Sequence, residues 1–192
     1  GLELSPKVAI GDGALGFWAA LRKEFPDTRE QRCWVHKTAN VLNKMPRSVQ
    51  PKAKADLHEI WMAPTRDSGY RALDAFVEKY GAKYAAACEC LTKDRDELMT
   101  FYDFPAEHWS HLRTTNPIES TFATIRLRHR RTKGCGTRLS SLTMMFKLAQ
   151  SAERKWRRLN GHELIISLMQ GKNFVDGVMH EAAQFKIPEH NN

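Results

Sequence analysis

The stretch KVAIGDGALGFWAALRKEFPDTREQRCWVH, residues 7–36, decides how this chain is built. Lys7 to Ile10 is a short apolar run of the kind buried in a parallel sheet, and Gly11-Asp12-Gly13 closes it with a turn. Ala14 to Phe25 then places Leu15, Trp18, Ala19 and Leu21 to Phe25 at helical spacing, and Pro26-Asp27 stops that helix. Arg29 to Val35 reads as a second strand. Strand, helix, strand over so short a span predicts a parallel βαβ unit. In such sheets functional groups collect at the carboxyl ends of the strands. Asp12 stands at one such end, and His36 follows the other.

Downstream the period changes. His36 to Met45 reads as a helix stopping before Pro46. Residues 47–112 then read as almost wholly helical, in segments Lys52–Met62, Ser68–Tyr80, Lys83–Leu91 and Arg95–Phe104. Pro51, Pro64, Gly81 and Pro105 punctuate them. Thr114-Thr115-Asn116-Pro117-Ile118-Glu119 opens the next helix, with Asn116 expected as N-cap, Pro117 at the first helical position and Glu119 at the third. That helix is expected to reach Arg131 and break at Gly134-Cys135-Gly136. Leu139 to Leu159 predicts a long amphipathic helix, with Leu142, Met145, Phe146, Ala149 and Ala152 on one side and Arg154 to Arg158 at its basic end. A short helix near 162–170 and a polar tail are expected to follow.

The 192 residues suffice for one compact domain, or one with an inserted subdomain. Apolar residues make up 42% and charged residues 27%, which argues against wholesale disorder. No apolar run approaches the roughly 18 residues of a membrane-crossing helix, so no membrane partner is expected. Four cysteines at irregular spacing give no disulfide framework, and a reducing cytosol is expected. The net charge of +8 is unevenly spread. Arg113 to Arg158 holds twelve Lys and Arg against two acids, Glu119 and Glu153, so the rest of the chain is slightly acidic. One concentrated basic block favours a polyanion, nucleic acid first, over a merely solvated helix face.

Two carboxylates are candidates for chemistry. Asp12, between glycines at a strand end, suits a metal ligand as well as a plain turn residue. Glu119 can complete a helix cap, but it is also the one acid between Arg113 and Arg138. Arg126 lies seven residues on, about two helical turns, and so shares its face. Arg128, Arg130, Arg131 and Lys133 follow at once. A lone carboxylate among phosphate-binding cations is what a metal-dependent phosphodiester enzyme needs. Cys33-Trp34-Val35-His36 has the spacing of two zinc ligands, which Cys88-x-Cys90 would have to complete. A buried cysteine beside a hydrogen-bonded histidine is the simpler reading, and His36 is expected to line the site near Asp12. Trp61 and Trp109 are candidates for stacking on an unpaired base, against an ordinary place in the core.

The string from AIGDGALG to VLNKMP, followed some distance on by TTNPIESTFATIRLRHRRTKG, resembles the mutator-type transposases of bacterial insertion sequences over nearly the whole chain. The resemblance implies an α/β, mostly helical fold. It would be a partial RNase H-like core with two remaining parallel strands and an all-helical insertion. It implies three regions: 1–37 as the second part of the catalytic core, 38–112 as the insertion, and 113–192 as the core helix with Glu119, the basic segment and terminal helices. It also implies an Asp, Asp, Glu (DDE) metal site for DNA cleavage and strand transfer, taking Mg²⁺ or Mn²⁺. Asp12 matches the second Asp and Glu119 the Glu. Arg126 matches the family's basic residue, and Cys33 with His36 its Cys-x2-His motif. His36, Arg126, Arg128, Arg130, Arg131 and Lys133 are then expected to hold DNA, at element ends and target, in a homo-oligomer when the protein is complete, at the bacterial nucleoid.

The family's first Asp and its opening strands match nothing in these residues. The chain is therefore expected to be the C-terminal portion of such an enzyme, inactive alone. Two strands without cover are marginal, so loose packing is expected unless the helical insertion covers the sheet. A non-catalytic DNA-binding remnant that modulates an intact transposase, a zinc-stabilised helical interaction protein, and an RNA-processing nuclease of the same fold class stand as alternatives.

Overall fold

The computed structural model describes residues 3–131, 133 and 137–180. Cys135 and its flanking glycines lie outside them. The expected βαβ unit is present: β1 (Val8–Gly11), α1 (Leu15–Glu24) and β2 (Arg29–Arg32). The strands pair in parallel from Val8 with Arg29 to Gly11 with Arg32. β2 is shorter than expected, and the next helix starts at Trp34, not His36. The pairing partner decides this. Cys33 N–H donates to Gly11 O, the last carbonyl β1 offers, and Trp34 N–H turns away to Arg113 O. α1 buries only Trp18, with Leu15 and Phe17 exposed, so the broad apolar face expected of it is not packed.

α2 (Trp34–Leu42) leads into the helical segment: α3 (Gln50–Met62), α4 (Arg66–Tyr80), α5 (Ala85–Thr92), α6 (Arg95–Leu98) and α7 (Trp109–Leu112), the last preceded by two short 3₁₀ turns. α4 starts with a Thr65–Ser68 capping box. The core lies here, with Leu57, Ile60, Leu73, Phe76, Leu91, Leu98, Phe101 and Tyr102 packed around Trp34 and Val41 of α2. Val8 and Ile10 of β1 pack against this cluster, so the helical segment covers one face of the sheet. Gln31 fastens it: buried in β2, its amide donates to Leu98 O and accepts from Phe101 N–H. Trp61 and Trp109 are also committed here. Trp109 donates to Phe104 O and meets Phe101 and Tyr102 edge-on, while Trp61 stacks edge-on with His58 against the core. Both rings are thus engaged by neighbours beside the core, and both are half-buried.

α8 (Asn116–Arg131) and α9 (Arg138–Glu153) pack on each other. α9 differs from the expected helix in two ways. It begins at a Thr137–Ser140 capping box and ends at Glu153, where Lys155 and Trp156 bond three residues back, so Arg154 to Arg158 lie beyond it. Its half-buried side carries Met144 and Leu148, whereas Leu142, Met145 and Phe146 are exposed. After α10 (Leu164–Met169) comes a hairpin that the polar-tail expectation missed, β3 (Asn173–Val175) and β4 (Val178–His180). Its turn is Asp176-Gly177, both at positive φ, which matches the twist of a two-residue hairpin. The hairpin is pinned to the helical segment by Arg66 N–H to Asp176, Ala106 N–H to Gly177 O and Gly177 N–H to Tyr102 O. Among the described residues, no helix is long and apolar enough to cross a membrane.

Candidate catalytic cleft

Three elements meet at the carboxyl ends of the two strands. β1 delivers Asp12, the start of α2 delivers His36, and the first three turns of α8 deliver Glu119, Phe122 and Arg126. All five line one cleft of about 610 Å³ with Ile10, Gly11, Phe17, Thr115 and Ile118. Asp12 is exposed in its turn and its Oδ1 accepts from Ala14 N–H at 3.0 Å. That bond is an Asx turn, and it fixes the carboxylate at the cleft mouth.

Glu119 is held differently from the expected cap. Asn116 is already helical, and Thr115 precedes it, so Glu119 sits one position deeper than anticipated. Its N–H donates to Thr115 O, and the Thr115 hydroxyl donates to Glu119 Oε1. His36 Nδ1 lies 3.6 Å from the same oxygen. Glu119, Phe122 and Arg126 share the cleft because they are three and seven residues apart on one helix face. Arg128, Arg130 and Arg131 are exposed on later turns and do not line the cleft. Lys133 is exposed beyond the helix, in the left-handed conformation.

Cys33 ties these parts together. Its buried Sγ accepts from Thr115 N–H at 3.4 Å, and lies 3.4 Å from the Thr115 hydroxyl oxygen, whose proton goes to Glu119, and 3.3 Å from His36 Nδ1. Burial works against a thiolate there, but the hydrogen bonds from Thr115 and His36 outweigh it and bring the group down to about 7. The hydrogen bond to Cys33, with the nearby charges of Glu119 and Asp12, raises His36 above its ordinary value despite partial burial. Cys88 and Cys90 are buried in the core along α5 and do not join this pair. The described residues gather no group of three or more His, Cys, Asp or Glu side chains able to hold a metal. The zinc-stabilised alternative therefore finds no ligand set among them. For a hard divalent cation the two cleft carboxylates are the right donor type.

Two residues here escaped the sequence reading. Thr115 carries a signal, standing one helical turn before Glu119, but the Asn116-Pro117 pair is the stronger local mark of a helix start. Arg113 belongs to the basic block by sequence, yet its guanidinium lies over the rings of Phe101, Trp109 and Trp61 at 4.5 to 5.7 Å. Burial lowers its affinity for a proton, and it faces the core rather than a polyanion.

Comparison with known proteins gives the family of the chain. The family described as "Transposase, Mutator family" matches residues 5–158. The chain is 57% identical over 178 residues to the transposase for insertion sequence element IST2 of Acidithiobacillus ferrooxidans, covering 93% of this chain and 60% of that protein. It is 51% identical over 173 residues to the transposase for IS6120 of Mycolicibacterium smegmatis, covering 90% of this chain and 54% of that one. A more distant relative, the transposase for IS1081 of Mycobacterium tuberculosis, is 28% identical over 121 residues. The chain thus spans 54 to 60% of the length of its two more similar curated relatives. The match takes in both strands of the parallel sheet, the whole helical segment, and every residue of the cleft, and on that extent the chain belongs to the Mutator family of transposases.

Proposed function

We propose that the cleft is part of the active site of an insertion-element transposase that cuts DNA and joins it to a new site. The observation that carries this reading is the meeting of Asp12, Glu119, His36 and Arg126 in one cleft, drawn from parts of the family match that are far apart in the chain. The chemistry is phosphoryl transfer in two stages. Water attacks the phosphodiester at the element's end and the 3′ oxygen leaves as a free hydroxyl. That hydroxyl then attacks a target phosphodiester, with one bond formed and one broken.

Asp12 and Glu119 would hold Mg²⁺ or Mn²⁺, which when bound supplies charge neutralisation at the scissile phosphate. The Thr115 hydroxyl and His36 keep Glu119 Oε1 in place. Arg126 presents its guanidinium to the phosphate within the cleft. Arg128, Arg130, Arg131 and Lys133 hold the DNA backbone farther along, where charge without shape suffices. His36, between Cys33 and Glu119, positions a phosphate oxygen or the attacking hydroxyl.

The same reading takes the βαβ unit as part of an RNase H-like core, residues 38–112 as its insertion and residues 113–192 as the region that returns Glu119 to the sheet. The family resemblance asks for three carboxylates, and this chain matches two. With two, the chain alone binds the cation weakly and does not transpose. The complete protein works as a homo-oligomer on nucleoid DNA.

The test is Mn²⁺ binding followed by water-proton relaxation, beside binding of duplex DNA. Asp12→Asn and Glu119→Gln are each expected to weaken Mn²⁺ binding at least about tenfold while DNA affinity stays level. Unchanged Mn²⁺ binding in both variants overturns the metal assignment. Cation-dependent cleavage of terminal-repeat DNA by the unaltered chain overturns the statement that two carboxylates are too few.

A further inference from the structure

We infer that Arg32 is a positioning residue for Asp12, and that the helical segment holds it in that role through Asp94. The inference rests on the reading of Asp12 as a metal ligand and names what keeps its turn in shape. Arg32 is the last residue of β2 and pairs in register with Gly11, directly before Asp12. Its side chain is 9% exposed. Nε donates to Asp94 Oδ2 at 3.0 Å, while Nη1 is buried and makes no hydrogen bond.

Nη1 instead lies against Gly13. A Cβ built on Gly13 would stand 1.7 Å from Nη1 and 2.2 Å from both Cζ and Nη2. The flat guanidinium is therefore pressed on the backbone of the turn that carries Asp12. Gly13 has φ +103, a region side chains rarely adopt, so the turn needs glycine for its conformation and again for this contact.

Asp94 lies between α5 and α6. Its Oδ2 also accepts from Lys37 Nζ, which is buried and donates in addition to Cys90 O at 2.8 Å. Two buried cations on one carboxylate oxygen make a fixed anchor, because separating either leaves an unpaired charge in the interior. The line Cys90, Lys37, Asp94, Arg32, Gly13 thus runs from the core of the helical segment to the turn of Asp12. Salt bridges of this kind stabilise little in net terms but fix geometry, and here the geometry fixed is that of a ligand.

Arg32→Lys is the leading variant. It keeps the charge beside Asp94 and removes the flat group lying on Gly13. Two measurements on the full chain decide the matter. The amide resonance of Ala14 reports its bond to Asp12 Oδ1, and water-proton relaxation reports Mn²⁺ affinity. Thermal unfolding is followed alongside. Arg32→Lys is expected to keep the wild-type transition, shift the Ala14 amide toward its unbonded position and weaken Mn²⁺ about tenfold, the size of loss seen when a metal ligand's outer partner is removed. Asp94→Asn is expected to do the same wherever it folds. An unmoved Ala14 resonance with wild-type Mn²⁺ affinity in Arg32→Lys overturns the inference. Asp12→Asn separates the two claims. If it binds Mn²⁺ like wild type while Arg32→Lys still moves the Ala14 amide, Arg32 shapes the turn but Asp12 is no ligand. If Asp12→Asn loses Mn²⁺ and Arg32→Lys changes nothing, the ligand stands and the positioning role falls.

Discussion

Cys33 shows how much one side chain does here beyond filling space. It closes the β1–β2 pairing through its N–H and holds Thr115 through its sulfur, and Thr115 in turn holds Glu119. Its thiol, normally at 9.0, is brought to about 7 in the fold. A group whose folded value lies below its unfolded one contributes stability that is full above the unfolded value and lost as pH falls through the folded one. Unfolding by urea is therefore expected to become harder as pH rises from about 7 toward 9.0. Cys33→Ser should remove that rise, and an unchanged slope in the variant would count against the thiolate. His36 acts with the opposite sign. Its raised value means stability present at low pH and lost as pH climbs through the folded value, so the Cys33 gain is cleanest in the upper part of the window.

At the scale of elements, α8 divides its charges by face and by turn. The first turns carry Glu119, Phe122 and Arg126 into the cleft, and the last turn carries Arg128, Arg130 and Arg131 to solvent. Cations at a helix C-terminus are stabilised by the helix dipole, so this placement costs the helix little while presenting a charged end. Each phosphate neutralised contributes about 0.9 to the slope of log affinity against log salt. Arg128→Ala with Arg130→Ala is expected to weaken duplex binding at low salt and flatten that slope by about two, measured by fluorescence anisotropy. Loss of affinity without a change of slope would mean that these side chains do not touch phosphate. Arg113→Ala belongs elsewhere: caged by three aromatic rings, it should lower stability and leave the salt slope alone.

At the scale of the molecule, the parallel sheet is two strands wide among the described residues and borrows its stability from the helical segment. Gln31 is the clearest join. Fully buried in β2, it accepts from Phe101 N–H at 2.7 Å and donates to Leu98 O at 3.2 Å. Leu98 O has a second donor in Trp34 Nε1, but the Phe101 N–H depends on Gln31. Gln31→Leu keeps much of the volume and leaves that N–H buried without an acceptor. It should cost about 1–3 kcal/mol in urea unfolding. A neutral result would show that the helical segment docks by apolar packing alone.

What the residues alone determined is local in origin. The apolar run before Gly11-Asp12-Gly13, the proline stops and the helical periods fixed the βαβ unit and the helical segment, because these depend on spacing and turn chemistry within a few residues. The Asp176-Gly177 hairpin rests on the same local ground, since an Asp-Gly pair between short apolar runs is a hairpin signal. The limit of α2, the side of α9 that packs, the caging of Arg113 and the grip of Arg32 on Gly13 were settled only in three dimensions. Each depends on a partner distant in the chain: Arg113 O for Trp34, α8 for α9, three core rings for Arg113, Asp94 for Arg32. Sequence spacing sets which way a side chain points on its own helix or strand. Only the packed chain decides what stands opposite it, and for Asp12 and Glu119 the opposite side is the same cleft.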